Sequence, residues 1–183
     1  MKAIKFCALL AIGLGLIFQA QARDFMNMKP KIVRESEIQS DATNVEAAQN
    51  NEQIIKILLG ATDTAGQFTL FSDVFTQKDS VVPLHFHNWH DEAFYIVGGR
   101  FEFGLGSEDK KEIVDSGTTI FVPRGTLHSV KSLDENSKLV IVYTPGGWEH
   151  YYRESLRLTP EQKEDEEFMK QFKESYDSYD PQH

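Results

Sequence analysis

The sequence has 183 residues, of which 40% are hydrophobic and 26% charged, and 28 acidic against 19 basic residues leave a formal net charge of −9. This composition is typical of one globular domain and excludes collagen-like or low-complexity chains. A chain of this length buries a sizeable core without disulfide or metal cross-links. The excess of acidic residues provides no basic surface for nucleic acid and disfavours binding to anionic membranes. It does not identify a binding partner.

The first 22 residues have the pattern of a secretory signal peptide. Lys2 and Lys5 precede an uncharged apolar run over Phe6–Phe18, and Ala20-Gln21-Ala22 places small residues where a signal peptidase recognises them. An uncleaved anchor helix is the alternative, but such a run reaches only about 20 Å, short of the roughly 30 Å hydrocarbon core. We therefore expect cleavage after Ala22 and a periplasmic or secreted protein.

The mature chain, Arg23–His183, would contain no cysteine, because Cys7 lies within the apolar run. Disulfide and thiol chemistry are then excluded. Residues 23–53 are polar, which predicts an extended arm with a little helix around Asn44–Gln53. Such an arm either wraps a neighbouring subunit or forms a partly ordered tail.

Residues 54–145 consist of short strand-like runs separated by turns. Turn signals include Gly98-Gly99 and Lys110-Lys111. The strand-like run Gln67–Phe75 carries apolar residues on both faces, so the sequence does not decide which face is buried. Several short strands without intervening helices are typical of an all-β sandwich or barrel. The predicted strands are Ile54–Leu59, Gln67–Phe75, Val81–His87, Glu92–Val97, Arg100–Leu105, Thr118–Val122, His128–Lys131 and Lys138–Tyr143.

Residues 146–183 are interpreted as a C-terminal helical segment. The pattern of residues over Trp148–Leu156 predicts a short amphipathic helix. Thr159, Pro160 and Gln162 form a capping-box signature that starts a second helix over Pro160–Tyr176. Its apolar stripe indicates a surface helix packed on the β domain.

The candidate chemistry lies in a group of histidines and one glutamate. His85 and His87 are two residues apart on a strand and project to one face, Glu92 opens the next strand, and His128 starts a later one. Three imidazoles and a carboxylate suit Fe, Mn, Ni, Cu, Co or Zn. A histidine pair on a strand is more often a surface or core pair than a metal site, so the pair alone decides nothing.

The spacing of these residues resembles the two motifs of the cupin superfamily. Asp79 and Ser132 depart from the glycine and asparagine that usually stand at the motif ends, which are not ligand positions in that family. The residues that match are His85, His87, Glu92 and Gly99 in the first motif, and Gly117, Pro123, Gly125 and His128 in the second.

The resemblance implies a single-domain cupin: an antiparallel, jelly-roll-like β-barrel that holds one divalent transition metal in its wider end. It implies that His85, His87, Glu92 and His128 are the metal ligands. The flanks of the motifs are most similar to the quercetin-2,3-dioxygenase-like branch. That similarity implies a metal-dependent dioxygenase acting on a small oxygenated aromatic or enolic, flavonol-like substrate, with Glu92 as ligand, base or both.

Cupin barrels also host non-catalytic binding proteins and metal-dependent isomerases or lyases, which stay open as alternatives. The complete ligand set argues against a purely structural barrel. A homodimer is expected from the habit of such barrels to pair. His90 is either an exposed loop residue or a partner of the ligands. Candidates for the pocket wall, any of which can instead be plain core, are Phe71, Phe101, Phe103, Phe121 and Tyr143.

Overall fold

The computed structural model describes residues 28–38, 47–49, 52–107 and 109–181. The predicted signal peptide, residues 1–22, lies outside them, and so does much of the predicted arm. The helix expected around Asn44–Gln53 is wrong, because Ala47–Gln49 form a strand that pairs antiparallel with Ile54–Lys56. Hydrogen bonding to a neighbouring strand here overrides a weak local helical preference.

Antiparallel β-strands make up most of the described chain. They form a six-stranded sheet in the order β1-β2-β3-β10-β5-β8 and a four-stranded sheet in the order β4-β9-β6-β7. The predicted antiparallel β-barrel fold is thereby confirmed. The strands are β1 (Ala47–Gln49), β2 (Gln53–Leu59), β3 (Thr69–Phe75), β4 (Val81–His85), β5 (Asp91–Gly98), β6 (Phe101–Leu105), β7 (Lys111–Val114), β8 (Thr119–Val122), β9 (His128–Ser132) and β10 (Ser137–Thr144).

Two strands differ from the sequence prediction. β7 lies where only a turn at Lys110-Lys111 was expected, because three of its four residues are exposed and it lacks the alternation that marks a half-buried strand. β4 ends at His85 instead of His87. His87 therefore belongs to the connection between β4 and β5.

Aromatic side chains join the two sheets in the core. Phe71 and Phe75 are fully buried, which decides the inward face of β3. Phe75 packs edge-to-face on Phe101 with ring centroids 5.2 Å apart, and Phe94 packs on Phe103 at the same distance. Such pairs add about 0.5–1.5 kcal/mol each beyond the burial of their surface.

The C-terminal segment contains three helices, α1 (Glu149–Ser155), α2 (Pro160–Glu164) and α3 (Glu166–Ser175). The predicted single helix over Pro160–Tyr176 is wrong, because Asp165 leaves the helical region and its side chain accepts a hydrogen bond from the Phe168 N–H, capping α3. The capping box at Thr159 is present as predicted. Among the described residues, no helix is long and apolar enough to cross a membrane.

The chain after α3 returns to the barrel. Tyr179 forms an isolated antiparallel bridge with Phe86, in the connection after β4, and the two rings stack with centroids 5.4 Å apart. Residues 176–180, here called the C-terminal strap, therefore lie against the connection that carries His87.

Candidate metal centre

Both sheets contribute to a cluster of three histidines and one glutamate. His85 ends β4 and is the direct register partner of His128 at the start of β9. Glu92 comes from β5 in the other sheet, and His87 from the connection between them. One ligand atom from each of these four residues lies within 4.8 Å of the others. His87, Glu92 and His128 are each only 1% exposed.

Backbone carbonyls orient all three imidazole rings. A carbonyl oxygen only accepts hydrogen bonds, so each Nδ1 facing one carries the proton. In a neutral ring the Nε2 atom then presents a lone pair to the cluster. The Nδ1 atom of His85 donates to Pro83 O at 2.8 Å, that of His87 to Asp177 O at 2.5 Å and that of His128 to Thr126 O at 2.9 Å.

The inward-facing atoms of the cluster fit a cation. His87 Nε2 lies 3.2 Å from one oxygen of Glu92, and His128 Nε2 lies 2.8 Å from the other. Within the described part of the chain, none of these four buried atoms has a hydrogen-bond partner. Lone pairs that face each other at such distances repel unless a proton or a metal ion lies between them. Three nitrogens and a carboxylate suit a divalent transition metal.

The electrostatics of the cluster keep its ligand atoms available. Burial alone would raise the pKa of Glu92, but contact with His128 and His87 holds it well below its ordinary value, so the carboxylate is anionic. Burial and the neighbouring His128 lower the pKa of His85 to about 4, which leaves this ring neutral. Burial alone would lower the pKa of His128, but the contact with Glu92 outweighs it and raises this pKa. A proton on His128 therefore competes with a metal as the pH falls.

Asp177, in the C-terminal strap, shapes the connection that holds His87. Its carboxylate accepts hydrogen bonds from the backbone N–H groups of Asn88, Trp89 and His90 at 2.9, 2.9 and 3.1 Å. It also accepts from Nδ1 of His90 at 2.6 Å. Sequence reasoning missed Asp177, because nothing in its local pattern links it to a histidine 90 positions away.

His90 belongs to the surroundings of the cluster. Its side chain is 13% exposed, and its ring lies 6.2 Å from that of His87 and 5.7 Å from that of Trp148. The interpretation of His90 as an exposed loop residue is therefore wrong. Trp89 beside it is 67% exposed.

An ion pair and a backbone hydrogen bond connect the two sequence motifs. Arg124, in the turn before β9, donates from Nε and Nη2 to the two oxygens of Asp91 at 3.0 and 2.7 Å, and this pairing lowers the pKa of Asp91 to about 2. The Gly125 N–H donates to the carbonyl of His87 at 2.6 Å. The turn that leads into His128 is thus held against the loop that carries His87.

The cluster opens into a cavity of about 230 Å³, whose wall includes Phe94, Val130, Ile141, Tyr143 and Trp148. Trp148 stacks on Tyr143, with ring centroids 5.2 Å apart. The wall combines these side chains with polar ones, which are His85, Glu92 and His128 of the cluster together with Gln53, Asp73, Lys173, Ser178 and Asp180.

Of the five wall candidates from the sequence, only Tyr143 lines this cavity. Phe71, Phe101 and Phe103 are fully buried core residues, and Phe121 is 62% exposed on the outer surface. The inward face of a barrel strand is filled by core side chains along most of its length, so most inward aromatics do not reach a cavity.

Asp73 adds a carboxyl group to the cavity wall. Burial raises its pKa to about 8, although a hydrogen bond from Gln53 opposes the shift. Burial raises the pKa of Tyr152, another wall residue, and the nearby carboxyl of Asp73 adds to that shift. The alternation of Thr69, Phe71, Asp73 and Phe75 along β3 is a signal that could have identified this inward carboxyl from the sequence.

Comparisons with known proteins agree with this fold. The cupin domain family model matches residues 74–144. Over 94 residues the chain is 34% identical to an uncharacterized protein of Aquifex aeolicus, covering 51% of this chain and 71% of that protein. Over 102 residues it is 28% identical to quercetin 2,3-dioxygenase of Bacillus subtilis, covering 56% of this chain and 29% of that enzyme.

Two further similarities are to proteins named KdgF. The chain is 31% identical over 68 residues to the pectin degradation protein KdgF of Dickeya dadantii, covering 37% of this chain and 60% of that protein. The solved structure of KdgF from Halomonas sp. superposes with a TM-score of 0.53 at 21% identity, covering 64% of this chain and 96% of that one. This structural likeness concerns the fold alone. The matched segment spans less than a third of the Bacillus enzyme, at 29% of its length.

Replacing Asp177 by alanine should weaken metal binding about 10- to 100-fold, because the residues that position metal-ligating histidines have effects of that size. Competition of the protein with a zinc-chelating dye measures the affinity. Asp134→Ala is the matched control: Asp134 also clamps a loop, by accepting from the backbone N–H and guanidinium of Arg100, but it is not among the cavity wall residues. Equal affinities of the two variants would contradict the assigned role of Asp177.

Replacing Asp73 by asparagine should flatten the pH dependence of stability. The carboxyl keeps its proton in the folded protein up to about pH 8 but loses it near its ordinary pKa of 3.8 in the unfolded chain. Between these values folding takes up a proton, so the free energy of unfolding falls as pH rises, by up to about 1.4 kcal/mol per pH unit. Urea unfolding of the metal-free protein at about pH 5 and about pH 8 measures this difference. An unchanged slope in the variant would contradict a protonated Asp73.

Proposed function

The chain belongs to the cupin superfamily, and we propose that it is a metal-dependent dioxygenase acting on a small oxygenated aromatic or enolic substrate. The observation that carries the proposal is the buried cluster of His85, His87, Glu92 and His128, whose ligand atoms converge within 4.8 Å. The similarity to the Bacillus subtilis quercetin 2,3-dioxygenase favours oxygen chemistry at that cluster.

In the proposed reaction, His85, His87, Glu92 and His128 would hold the metal, which supplies Lewis acidity and a path for electrons between substrate and dioxygen. Dioxygen is the oxidant, and both of its atoms enter the product as a carbon–carbon bond of the substrate breaks. Tyr143 and Trp148 would exclude water from the reacting groups.

The substrate reacts as its enolate or phenolate, so its hydroxyl proton needs an acceptor. Glu92 is the proposed acceptor, and its lowered pKa favours the anionic, ligating form. Proton transfer would then require one Glu92 oxygen to exchange ligation for a hydrogen bond to the substrate. Glu92 would thus serve both as a metal ligand and as the base that accepts the substrate proton.

The cavity favours a substrate smaller than a flavonol. Its volume of about 230 Å³ lies below the roughly 300–1,000 Å³ of pockets that take drug-sized ligands. A single ring with an enol next to a ketone retains the reacting part of a flavonol in less space. We therefore propose a single-ring, flavonol-like substrate.

A metal-dependent lyase or isomerase is the second candidate. The similarity to the Dickeya dadantii KdgF favours it, and so does Asp73, a wall carboxyl whose raised pKa lets it donate a proton without any oxidant. A non-catalytic metal or small-molecule binding protein is the third candidate, because the fold by itself does not imply catalysis.

We also propose export to the periplasm or beyond, supported by Lys2, Lys5, the apolar run Phe6–Phe18 and the small residues that end at Ala22. A mass spectrum of protein purified from the source cells should correspond to a chain that begins at Arg23. A mass that includes Met1 would overturn this proposal. Pairing of two barrels in a homodimer is likewise a proposal.

Protein purified without chelator or histidine tag should contain about one transition-metal ion per chain, and His128→Ala should lose it. His150→Ala is the matched control, because His150 is an exposed histidine on α1 outside the cluster. An oxygen electrode with kojic acid, a single-ring enol–ketone, should record one dioxygen consumed per substrate lost.

Each other outcome selects a different candidate. Conversion of the substrate without oxygen uptake indicates a lyase or isomerase, and binding without conversion indicates a binding protein. Absence of metal after reconstitution with iron, manganese, nickel, copper, cobalt and zinc would overturn the metal-dependent enzyme altogether.

A further inference from the structure

Asp73 places a carboxyl group in the cavity wall between apolar neighbours on the adjacent strands. Its side chain is 3% exposed and shares the inward face of β3 with Phe71 and Phe75. Its register partners on the two neighbouring strands are Ile55 and Leu139, both buried. A carboxyl group in such surroundings costs stability unless something binds it.

Only part of the hydrogen-bonding capacity of this carboxyl is used. Oδ2 accepts a hydrogen bond from Nε2 of Gln53 at 3.1 Å. Oδ1 is buried and has no hydrogen-bond partner in the part of the chain that the structure describes. Asp73 and Gln53 both line the cavity that contains the metal cluster, so a molecule in that cavity can reach Oδ1.

The register of β10 places Asp73 and the metal cluster at different levels of the barrel. Asp73 pairs with Leu139, whereas Glu92 pairs with Tyr143, four residues further along the same strand. Four residues correspond to about 13 Å along a strand. A metal–oxygen bond, a six-membered ring with substituents on opposite sides and one hydrogen bond together span a comparable length.

We propose that Asp73, held by Gln53, is a substrate-binding residue that hydrogen-bonds a hydroxyl or carbonyl oxygen at the end of the substrate remote from the metal cluster. This inference rests on the proposed function for the near end, where an enol oxygen binds. The partner is a neutral oxygen rather than a cationic group, because a protonated carboxyl offers an O–H donor and an acceptor but no charge.

Two probes that differ only at the remote end test this contact. Kojic acid and 3-hydroxypyran-4-one share the same ring and enol–ketone pair, but kojic acid carries an additional hydroxymethyl group opposite the enol oxygen. Calorimetric titration of the zinc-loaded protein measures binding without turnover, since zinc is not redox-active. Wild-type protein should bind kojic acid about tenfold more tightly than the unsubstituted ring, the effect of one hydrogen bond.

Substitutions in β3 test whether Asp73 causes the preference for kojic acid. Asp73→Leu should lose the tenfold preference for kojic acid while binding the unsubstituted ring within about twofold of wild type. Ser72→Ala is the matched control, because Ser72 is the next residue on the strand and its hydroxyl donates to Glu35 instead of lining the cavity. It should bind both probes as wild type does, and all variants should carry the same zinc content.

A measurement with an isosteric variant keeps the test valid if Asp73→Leu does not fold. In the infrared difference spectrum, kojic acid binding should shift the carbonyl band of a protonated carboxylic acid, and this band should be absent from Asp73→Asn.

Equal binding of the two probes by wild type, equal loss of both in Asp73→Leu, or an unshifted carboxyl band would overturn the role of Asp73. Zinc-loaded wild type that binds neither probe would instead overturn the proposed enol–ketone substrate class.

Discussion

The arrangement of the site depends on one contact: the carboxylate of Glu92 lies between the Nε2 atoms of His87 and His128, at 3.2 and 2.8 Å. Each ring has committed its Nδ1 proton to a backbone carbonyl, so lone pairs converge on a buried anion. Such a group is stable only with a cation in it, because unpartnered polar atoms in a protein interior cost free energy. The rest of the fold holds these atoms where that cation is needed.

Three distant parts of the chain share this task. The antiparallel pairing of β4 with β9 brings His85 beside His128, and β5 supplies Glu92 from the opposite sheet. The C-terminal strap adds Asp177, whose carboxylate gathers the loop after His87 and whose carbonyl orients that ring. Because Asp177 reaches the loop after His87 from close to the end of the chain, the C-terminal strap is part of the site.

The cavity combines two polar regions of different character. At the metal cluster an anionic carboxylate and the imidazole nitrogens suit a cation, whereas at Asp73 burial raises the pKa of the carboxyl to about 8 and keeps it largely neutral. A neutral acid so placed can orient a substrate for oxygen-dependent cleavage or donate a proton in a lyase reaction. The small volume of the cavity, about 230 Å³, limits which molecules fit between the two regions.

The sequence by itself determined most of the strands, because these depend on local periodicity, and its resemblance to the cupin motifs implied the four cluster residues. The spacing of the two motifs carries that resemblance for all four residues, although β4 ends at His85 and His87 lies in the connection after it. Only the tertiary structure decided the rest. Polar β7 forms because β6 offers it an edge, and Asp177 acts on His87 from 90 residues away. Periodicity reports which face of an element is buried, but not which distant residue packs against it, because chain reversal brings together residues whose separation leaves no local pattern.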